Sequence, residues 1–233
     1  VLDRRGERLR PGGFLLLQRN VEGFDQVYDL TTQLRESSAI PPLIAIDHEG
    51  GRVDRLKQIF APIPSMPELA AAGMAQIRMG ARIVAAELEA TGFNVDFAPV
   101  LDLGLPGSIV AERCLASTPG EVARLGRAFV EELSKRRIVA CSKHFPGLGG
   151  AVVDPHFSLT RVDRNKRLLL QEDAAPFASL FDDAGMIMVS NAHYPALGDE
   201  KPIPASLSTR VVDGFLRKKL GYKGLTVTDD LIA

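Results

Sequence analysis

A carboxylate, an imidazole and a guanidinium lie close together in the segment 46–53, which reads I-D-H-E-G-G-R-V. Asp47 offers a hydrogen-bond acceptor and Arg52 a fork-shaped donor, which are the two kinds of group that bind hydroxyls. The paired glycines between them permit tight backbone turns beside a ligand. A loop in which the aspartate caps a helix and the arginine pairs with it explains the same residues equally well, so the segment alone leaves both interpretations open.

A second segment, 143–156, begins with Lys143 and His144 and reaches Asp154 and His156 after a glycine-rich stretch. Asp154 and His156 are two positions apart, so a turn or extended backbone lets the carboxylate fix the tautomer of the imidazole and stabilise its charged form. Such a histidine can donate and accept a proton near neutral pH. For an isolated D-x-H, a surface turn with a solvated histidine is the commoner explanation.

The third segment reads T-D-D-L at 228–231 and follows a strand-like run. A carboxylate that ends a buried strand points into the mouth of a barrel, where it can attack an anomeric carbon. Asp229 is therefore the candidate nucleophile, whereas Asp230 fits the cap of a following helix. Asn191 and His193 end another predicted strand, and a purely structural role for His193 is left open.

These residues are positioned by short apolar runs that alternate with segments of helical periodicity. Runs that are apolar on both faces are typical of parallel strands covered by helices. The predicted strands are 14–18, 43–47, 95–101, 139–144, 186–191 and 225–229. The predicted helices are 23–36, 67–91, 165–183, one capped at Thr118 and one that runs from its cap at Ser208 to Gly221.

The polar side chains concentrate at the carboxyl ends of the predicted strands, and this favours a closed barrel over an open nucleotide-binding sheet. They are Asp47, Asp102, Lys143, His144, Asn191, His193 and Asp229. An eight-stranded barrel needs further strands before Phe14 and after Asp229. The chain opens at Val1 rather than Met, so we predict one domain over 1–233, a (β/α)8 TIM-type barrel that is incomplete at both ends.

The bulk composition excludes several classes of protein. Lys and Arg number 28 against 29 Asp and Glu, so the net charge of −1 gives no long-range attraction for nucleic acid or anionic lipid. No apolar run approaches the ~18 residues of a membrane span, and no signal-peptide pattern opens the chain. Two cysteines, Cys114 and Cys141, make no disulfide framework, and no zinc-ligand spacing is present.

Taken in order, the three segments resemble glycoside hydrolase family 3, and specifically its β-N-acetylhexosaminidase branch. Its D-[QH]-E-G-G-R-V loop is matched at 47–53, its K-H-F-P-G…D-x-H loop at 143–156, and its strand ending in T/S-D at 228–231. Weaker matches at 94–103, 112–113 and 204–222 extend the similarity over nearly the whole chain. The ordered set of motifs is much more specific than any one of them.

The resemblance implies a retaining hydrolase that removes terminal β-linked N-acetylglucosamine, with peptidoglycan fragments of cell-wall recycling as substrates. Asp229 is then the nucleophile, and His156, oriented by Asp154, is the acid/base. The substrate-binding candidates are Asp47, Arg52, Arg113, Lys143, His144 and His193. Neither a metal nor an organic cofactor is implied. A bacterial cytoplasmic location is expected, with an export or lipoprotein signal left open; the oligomeric state is not predicted.

The chain departs from the family pattern within the second loop. Leu148 and the glycines that follow replace the commoner H-G-D/E, Pro155 stands where serine is usual, and R-C-L-A at 113–116 replaces R-S-F-G. These changes leave the substrate subtype open. The alternatives are a β-N-acetylglucosaminide phosphorylase, another family 3 glycosidase and, in a different class, a non-catalytic sugar-binding barrel.

Overall fold

The computed structural model describes residues 11–37, 39–152, 159–199 and 201–231. Its main sheet contains six parallel strands that neighbour one another in chain order. They are β1 (Gly13–Leu16), β2 (Leu43–Ile46), β5 (Val95–Asp96), β6 (Val139–Phe145), β7 (Met186–Val189) and β8 (Leu225–Thr228). The ladder runs without reversal from Gly13↔Leu43 to Val189↔Thr228. This curled sheet confirms the predicted α/β barrel in its incomplete form.

All six predicted strands are present, although most are shorter than predicted at their carboxyl ends. The run 95–101 is a ladder only at Val95–Asp96, after which Val100 makes an isolated parallel bridge to Lys143. A small antiparallel pair, β3 (His48–Gly50) and β4 (Val53–Asp54), was not predicted, because its glycines read as a loop. This hairpin follows β2 directly and carries the D-H-E-G-G-R-V motif.

Helices connect the strands, as βα alternation requires. The α-helices are α1 (Phe24–Glu36), α2 (Met66–Ala72), α3 (Met74–Ala90), α4 (Pro119–Ser134), α5 (Lys166–Leu168) and α6 (Ala175–Ser179). Wider π-type turns form Leu169–Asp173 and Arg210–Lys219. Short 3-10 turns lie at Gln18–Asn20, Ala111–Arg113, Pro195–Leu197 and Ala205–Leu207. None of the helices within the described ranges is long and apolar enough to cross a membrane.

Two predicted helices are interrupted. The helix predicted at 67–91 breaks at Gly73, whose φ of 108° lies outside the helical region, and α2 begins at a capping box between Ser65 and Glu68. The helix predicted at 165–183 is divided into α5, a π-type turn and α6. Pro176 stands in the first turn of α6, where its missing N–H costs no helical hydrogen bond.

The central strands of the sheet are buried on both faces, as their apolar runs predict, whereas the edge strands β1 and β8 are partly exposed. The larger core cluster lies between the sheet and the helices and includes Val84, Leu88 and Phe129. A smaller cluster contains strand residues such as Cys141 and Met188. Cys114 and Cys141 are both buried and free. Burial raises the pKa of both thiols, which makes them poor nucleophiles.

Candidate active site

A cavity of about 730 Å³ opens at the carboxyl ends of the parallel strands. Six of the sequence-predicted residues line it, namely Asp47, Arg52, Arg113, Lys143, His144 and Asp229. They come from segments up to 182 positions apart (229 minus 47), and the parallel sheet brings them together because its strands end at one edge. The apolar part of the wall includes Phe97, Leu148 and Met188.

Glu49 and Lys143 form the centre of a buried ion-paired cluster on one side of this cavity. The Nζ of Lys143 lies 2.6 Å from an oxygen of Asp47 and 2.6 Å from an oxygen of Glu49. Arg113 reaches Glu49 with two nitrogens, at 2.9 and 2.7 Å, in a bidentate pair. The side chains of Lys143 and Glu49 are only 1% and 3% exposed. Two cations are therefore held rigidly by two carboxylates before any ligand is bound.

The pKa values of Glu49, Lys143 and Arg113 are shifted in the directions that keep these three side chains charged. Burial by itself raises the pKa of Glu49, but the charges of Lys143 and Arg113 outweigh burial and hold that pKa well below its usual range. Burial lowers the pKa of Lys143, and the neighbouring Asp47 and Glu49 more than reverse this, so its pKa lies above the ordinary value. The same balance, dominated by Glu49, keeps the pKa of Arg113 high. The cluster presents fixed charges to a ligand.

His144 lines the cavity beside this cluster and is oriented by Asp102. Its Nδ1 lies 2.7 Å from an oxygen of Asp102, which is fully buried. Its Nε2 lies 3.5 Å from Nη2 of Arg113. The residue that precedes it, Lys143, belongs to the ion-paired cluster, so consecutive residues of β6 supply a cation and an imidazole to one cavity.

Asp229 follows β8 directly and is partly exposed on the cavity wall. Its backbone N–H donates to the carbonyl of Val189 at 3.0 Å, which extends the β7–β8 ladder and fixes the position of Asp229. Its carboxylate accepts the N–H of Asp230 at 2.9 Å. A carboxylate held by its backbone at a strand end, with an accessible oxygen, is suited to attack on carbon.

Arg52 is the most exposed of the predicted residues that line the cavity, whereas His193 does not line it. Arg52 lies on the exposed rim, 3.8 Å from Glu112. His193 is 5% exposed and is not among the residues that line the cavity; its backbone N–H donates to Thr160 at 2.7 Å. Its placement fits the structural alternative better than a substrate contact. Asp154 and His156 lie outside the described residues.

Two buried carboxylates, Glu49 and Asp102, were not singled out from the sequence as site residues. Extended backbone through 47–49 would give a signal for Glu49, because residues two apart in a strand share a face and Asp47 is already a candidate. Asp102 was recognised as a strand-end acid, but its partner was not. Among the described residues, no group of three His, Cys, Asp or Glu side chains could hold a metal ion.

An incomplete parallel barrel with a cavity lined by charged side chains at its carboxyl edge has the arrangement of α/β-barrel enzymes, whose active sites lie at that edge. The model of the glycosyl hydrolase family 3 N terminal domain matches residues 8–233. The chain therefore belongs to glycosyl hydrolase family 3.

Curated relatives agree with this membership. A β-hexosaminidase of Bordetella avium is 36% identical over 244 residues, which cover 99% of this chain and 69% of that protein. A β-hexosaminidase of Idiomarina loihiensis is 34% identical over 224 residues, which cover 94% and 67%. The predicted enzyme class, a glycoside hydrolase of the β-N-acetylhexosaminidase type, is confirmed at this level.

Solved structures show the same fold. A family 3 β-N-acetylglucosaminidase from Paenibacillus superposes with a TM-score of 0.90 at 35% identity, covering 95% of this chain but 43% of that one. NagZ from Neisseria gonorrhoeae gives a TM-score of 0.87 at 32% identity over 94% of this chain and 67% of its own length. The chain thus spans about two thirds of its curated relatives and less than half of the Paenibacillus protein.

Proposed function

We propose that this chain is the catalytic barrel of a retaining β-N-acetylglucosaminidase that removes terminal β-linked N-acetylglucosamine from glycans. In this proposal Asp229 attacks the anomeric carbon and forms a covalent glycosyl-enzyme. His156, oriented by Asp154, protonates the leaving oxygen and then activates water. The observation that carries the proposal is the position of Asp229 on the same cavity as the ion-paired Lys143 and Arg113.

The buried cluster supports a sugar as the ligand. A sugar hydroxyl both donates and accepts, and the cavity wall supplies an acceptor in Asp47 and donors in Lys143 and Arg113. Because these groups are held by mutual ion pairs, little ordering is needed when the sugar binds. The relatives named β-hexosaminidase and β-N-acetylglucosaminidase favour N-acetylglucosamine as that sugar, and we propose peptidoglycan fragments of cell-wall recycling as its natural source.

The test is release of chromophore from an aryl β-N-acetylglucosaminide. The wild-type chain should release it, and a 5-fluoro glycosyl analogue should leave a covalent sugar adduct on the peptide that contains Asp229, detected by mass spectrometry. His156→Ala should lose turnover most strongly with aryl groups that leave poorly, because those need protonation. Full turnover in His156→Ala with such groups refutes the acid/base assignment, and an adduct elsewhere refutes the nucleophile.

A second candidate reaction is phosphorolysis, favoured by three arginines on the same cavity. Arg19, Arg52 and Arg55 line it, and the ion pair of Arg52 with Glu112 is long, at 3.8 Å, and exposed. Such cations can receive an anion. A phosphate oxygen then attacks the anomeric carbon and releases Asp229. Product analysis in phosphate buffer separates the reactions, because only phosphorolysis yields the sugar 1-phosphate.

We further propose that residues 1–233 act as a single catalytic domain, which the family match over 8–233 supports. The proposed partner is a small carbohydrate; in the NagZ structure that contains N-trifluoroacetyl-D-glucosamine, the ligand is of this kind. A bacterial cytoplasmic location stays a prediction, and fractionation of the native protein tests it.

A further inference from the structure

Asp102 is a fully buried carboxylate beside the cavity that the proposed mechanism does not use. Its oxygens receive hydrogen bonds from two neighbouring residues. The imidazole Nδ1 of His144 lies 2.7 Å from Oδ2, and the backbone N–H of His144 lies 3.3 Å from both oxygens. The backbone N–H of Leu148 donates to Oδ1 at 2.6 Å. Asp102 thus holds both the ring and the backbone of a cavity residue.

These contacts determine which nitrogen of His144 carries the proton. A carboxylate only accepts hydrogen bonds, so Nδ1 must be the protonated nitrogen at 2.7 Å from Asp102. Nε2 faces Nη2 of Arg113 at 3.5 Å, and a guanidinium only donates. A proton on Nε2 would place two donors against each other. The neutral tautomer with its proton on Nδ1 and its lone pair on Nε2 is the one that fits both neighbours.

We propose that Asp102 is a positioning residue that fixes His144 as a hydrogen-bond acceptor for a substrate hydroxyl. With Nδ1–H committed to Asp102, Nε2 keeps its lone pair, and the long 3.5 Å contact from Arg113 leaves that lone pair able to accept from a substrate hydroxyl in the cavity that His144 lines. This role is distinct from that of the Asp154–His156 pair, which is assigned to proton transfer. The proposal rests on the proposed function only in naming the ligand as a sugar.

The same carboxylate anchors the glycine-rich stretch that follows β6. Besides the bond from Leu148, a Cβ on Gly149 would lie 2.3 Å from the carbonyl oxygen of Leu103, so this backbone packs tightly against the segment after Asp102. Asp102→Asn separates the two roles. Its amide oxygen can still accept from Leu148, whereas its NH2 group meets Nδ1 of His144 and demands a lone pair there.

The first experiment measures the tautomer directly in the wild-type chain. Long-range 1H–15N correlation spectra of protein with ring-labelled histidine should show His144 protonated at Nδ1 and bare at Nε2 near neutral pH. The spectrum of His144→Ala assigns the resonance among the chain's four histidines. Asp102→Asn should move the proton to Nε2. An Nε2–H or doubly protonated His144 in the wild type overturns the proposal.

The second experiment measures the affinity for N-acetylglucosamine by titration calorimetry. Asp102→Asn should weaken binding about 10- to 100-fold, because a lost acceptor leaves a buried hydroxyl unpaired. In the His144→Ala background the same change should have almost no further effect. Additive losses in the double variant show that Asp102 acts only through general structure and overturn the positioning role.

Asp96 supplies the matched control. It is also a fully buried aspartate, but its contact is with the backbone N–H of His48 at 3.1 Å and it does not line the cavity. Asp96→Asn should therefore keep both the His144 tautomer and the affinity. If N-acetylglucosamine fails to bind even the wild type, the proposed function fails, while the tautomer measurement still decides the role of Asp102.

Discussion

The two sides of the cavity are built in opposite ways. On the side of β2 and β6, Lys143 is 1% exposed and lies 2.6 Å from each of two carboxylates. On the side of β8, Asp229 is partly exposed, and its carboxylate accepts a hydrogen bond from the backbone N–H of Asp230. Side chains that bind a ligand contribute more affinity when they are already held in position. A nucleophile, by contrast, needs an oxygen that is accessible to the carbon it attacks. In the proposed mechanism, the side chains that bind the sugar are therefore held in place by ion pairs, whereas the carboxylate that attacks it is not.

The largest expected effect separates these two sides kinetically. Asp229→Asn should lower kcat by about 1,000-fold or more, because the covalent step loses its nucleophile, and should leave the affinity for N-acetylglucosamine within about threefold. Steady-state kinetics and calorimetry measure the two quantities. Asp230→Asn is the control and should keep kcat within about threefold, since Asp230 is exposed. Equal losses of kcat in Asp229→Asn and Asp230→Asn would contradict the role of Asp229 as the nucleophile.

The second-largest expected effect tests how firmly the ion-paired cluster around Glu49 and Lys143 is held. Glu49→Gln leaves Arg113 without its carboxylate and Lys143 with one instead of two, so buried charge is left uncompensated. The free energy of unfolding should fall by about 3–5 kcal/mol in urea titrations. In Glu112→Gln, whose side chain is 82% exposed and 3.8 Å from Arg52, it should change by less than about 1 kcal/mol. A small loss in Glu49→Gln would mean that the cluster is not rigid.

Much of the difference between the two sides of the cavity can be predicted from the sequence. Apolar runs on both faces predict parallel strands, and parallel strands bring their carboxyl ends to one edge, so Asp47, Lys143 and Asp229 could be placed on one cavity before any coordinates. The limits are also physical. A glycine inside a helical pattern costs only about 1 kcal/mol, so the break at Gly73 carries no distinctive signal.

The pairing of buried charges was the least predictable feature. Arg113 and Glu49 are 64 positions apart, and no periodicity links a residue of a hairpin to one in a 3-10 turn. Asp102 was visible as a strand-end acid, yet its bond to His144 depends on the side-by-side placement of two strand ends. Local patterns predict which face a residue lies on, whereas partners across the cavity depend on how the curled sheet places its strand ends side by side.

A third prediction compares two buried carboxyls whose pKa values move in opposite directions. The cations around Glu49 hold its pKa below the unfolded value, so its contribution to stability is present above pH ~4.3 and is lost as pH falls through the folded pKa. Burial raises the pKa of Asp96, so its contribution is full below pH ~3.9 and declines as pH rises. The wild-type advantage over Glu49→Gln should therefore shrink on acidification.

Asp96→Asn should show the reverse trend and gain stability relative to the wild type as pH rises above about 4, since the asparagine has no proton to lose. Urea titrations of the three proteins between acidic and neutral pH measure both slopes. Parallel curves for the two variants would mean that the ion pairs around Glu49 do not set its titration. The two carboxyls would then differ in their contacts but not in how they titrate.

The smallest expected effect concerns Arg52, at the exposed rim of the cavity near the ion-paired cluster. Arg52 belongs to the same motif as Asp47, but its side chain is 55% exposed and its ion pair to Glu112 is long. Arg52→Ala should raise KM for a small aryl glycoside by no more than about threefold, because an exposed, solvated cation contributes little to binding. Arg113→Ala, which removes a buried member of the cluster, should raise KM far more. A large increase in KM for Arg52→Ala would mean that the exposed rim also contributes to ligand binding. It would point to an anionic group on the ligand.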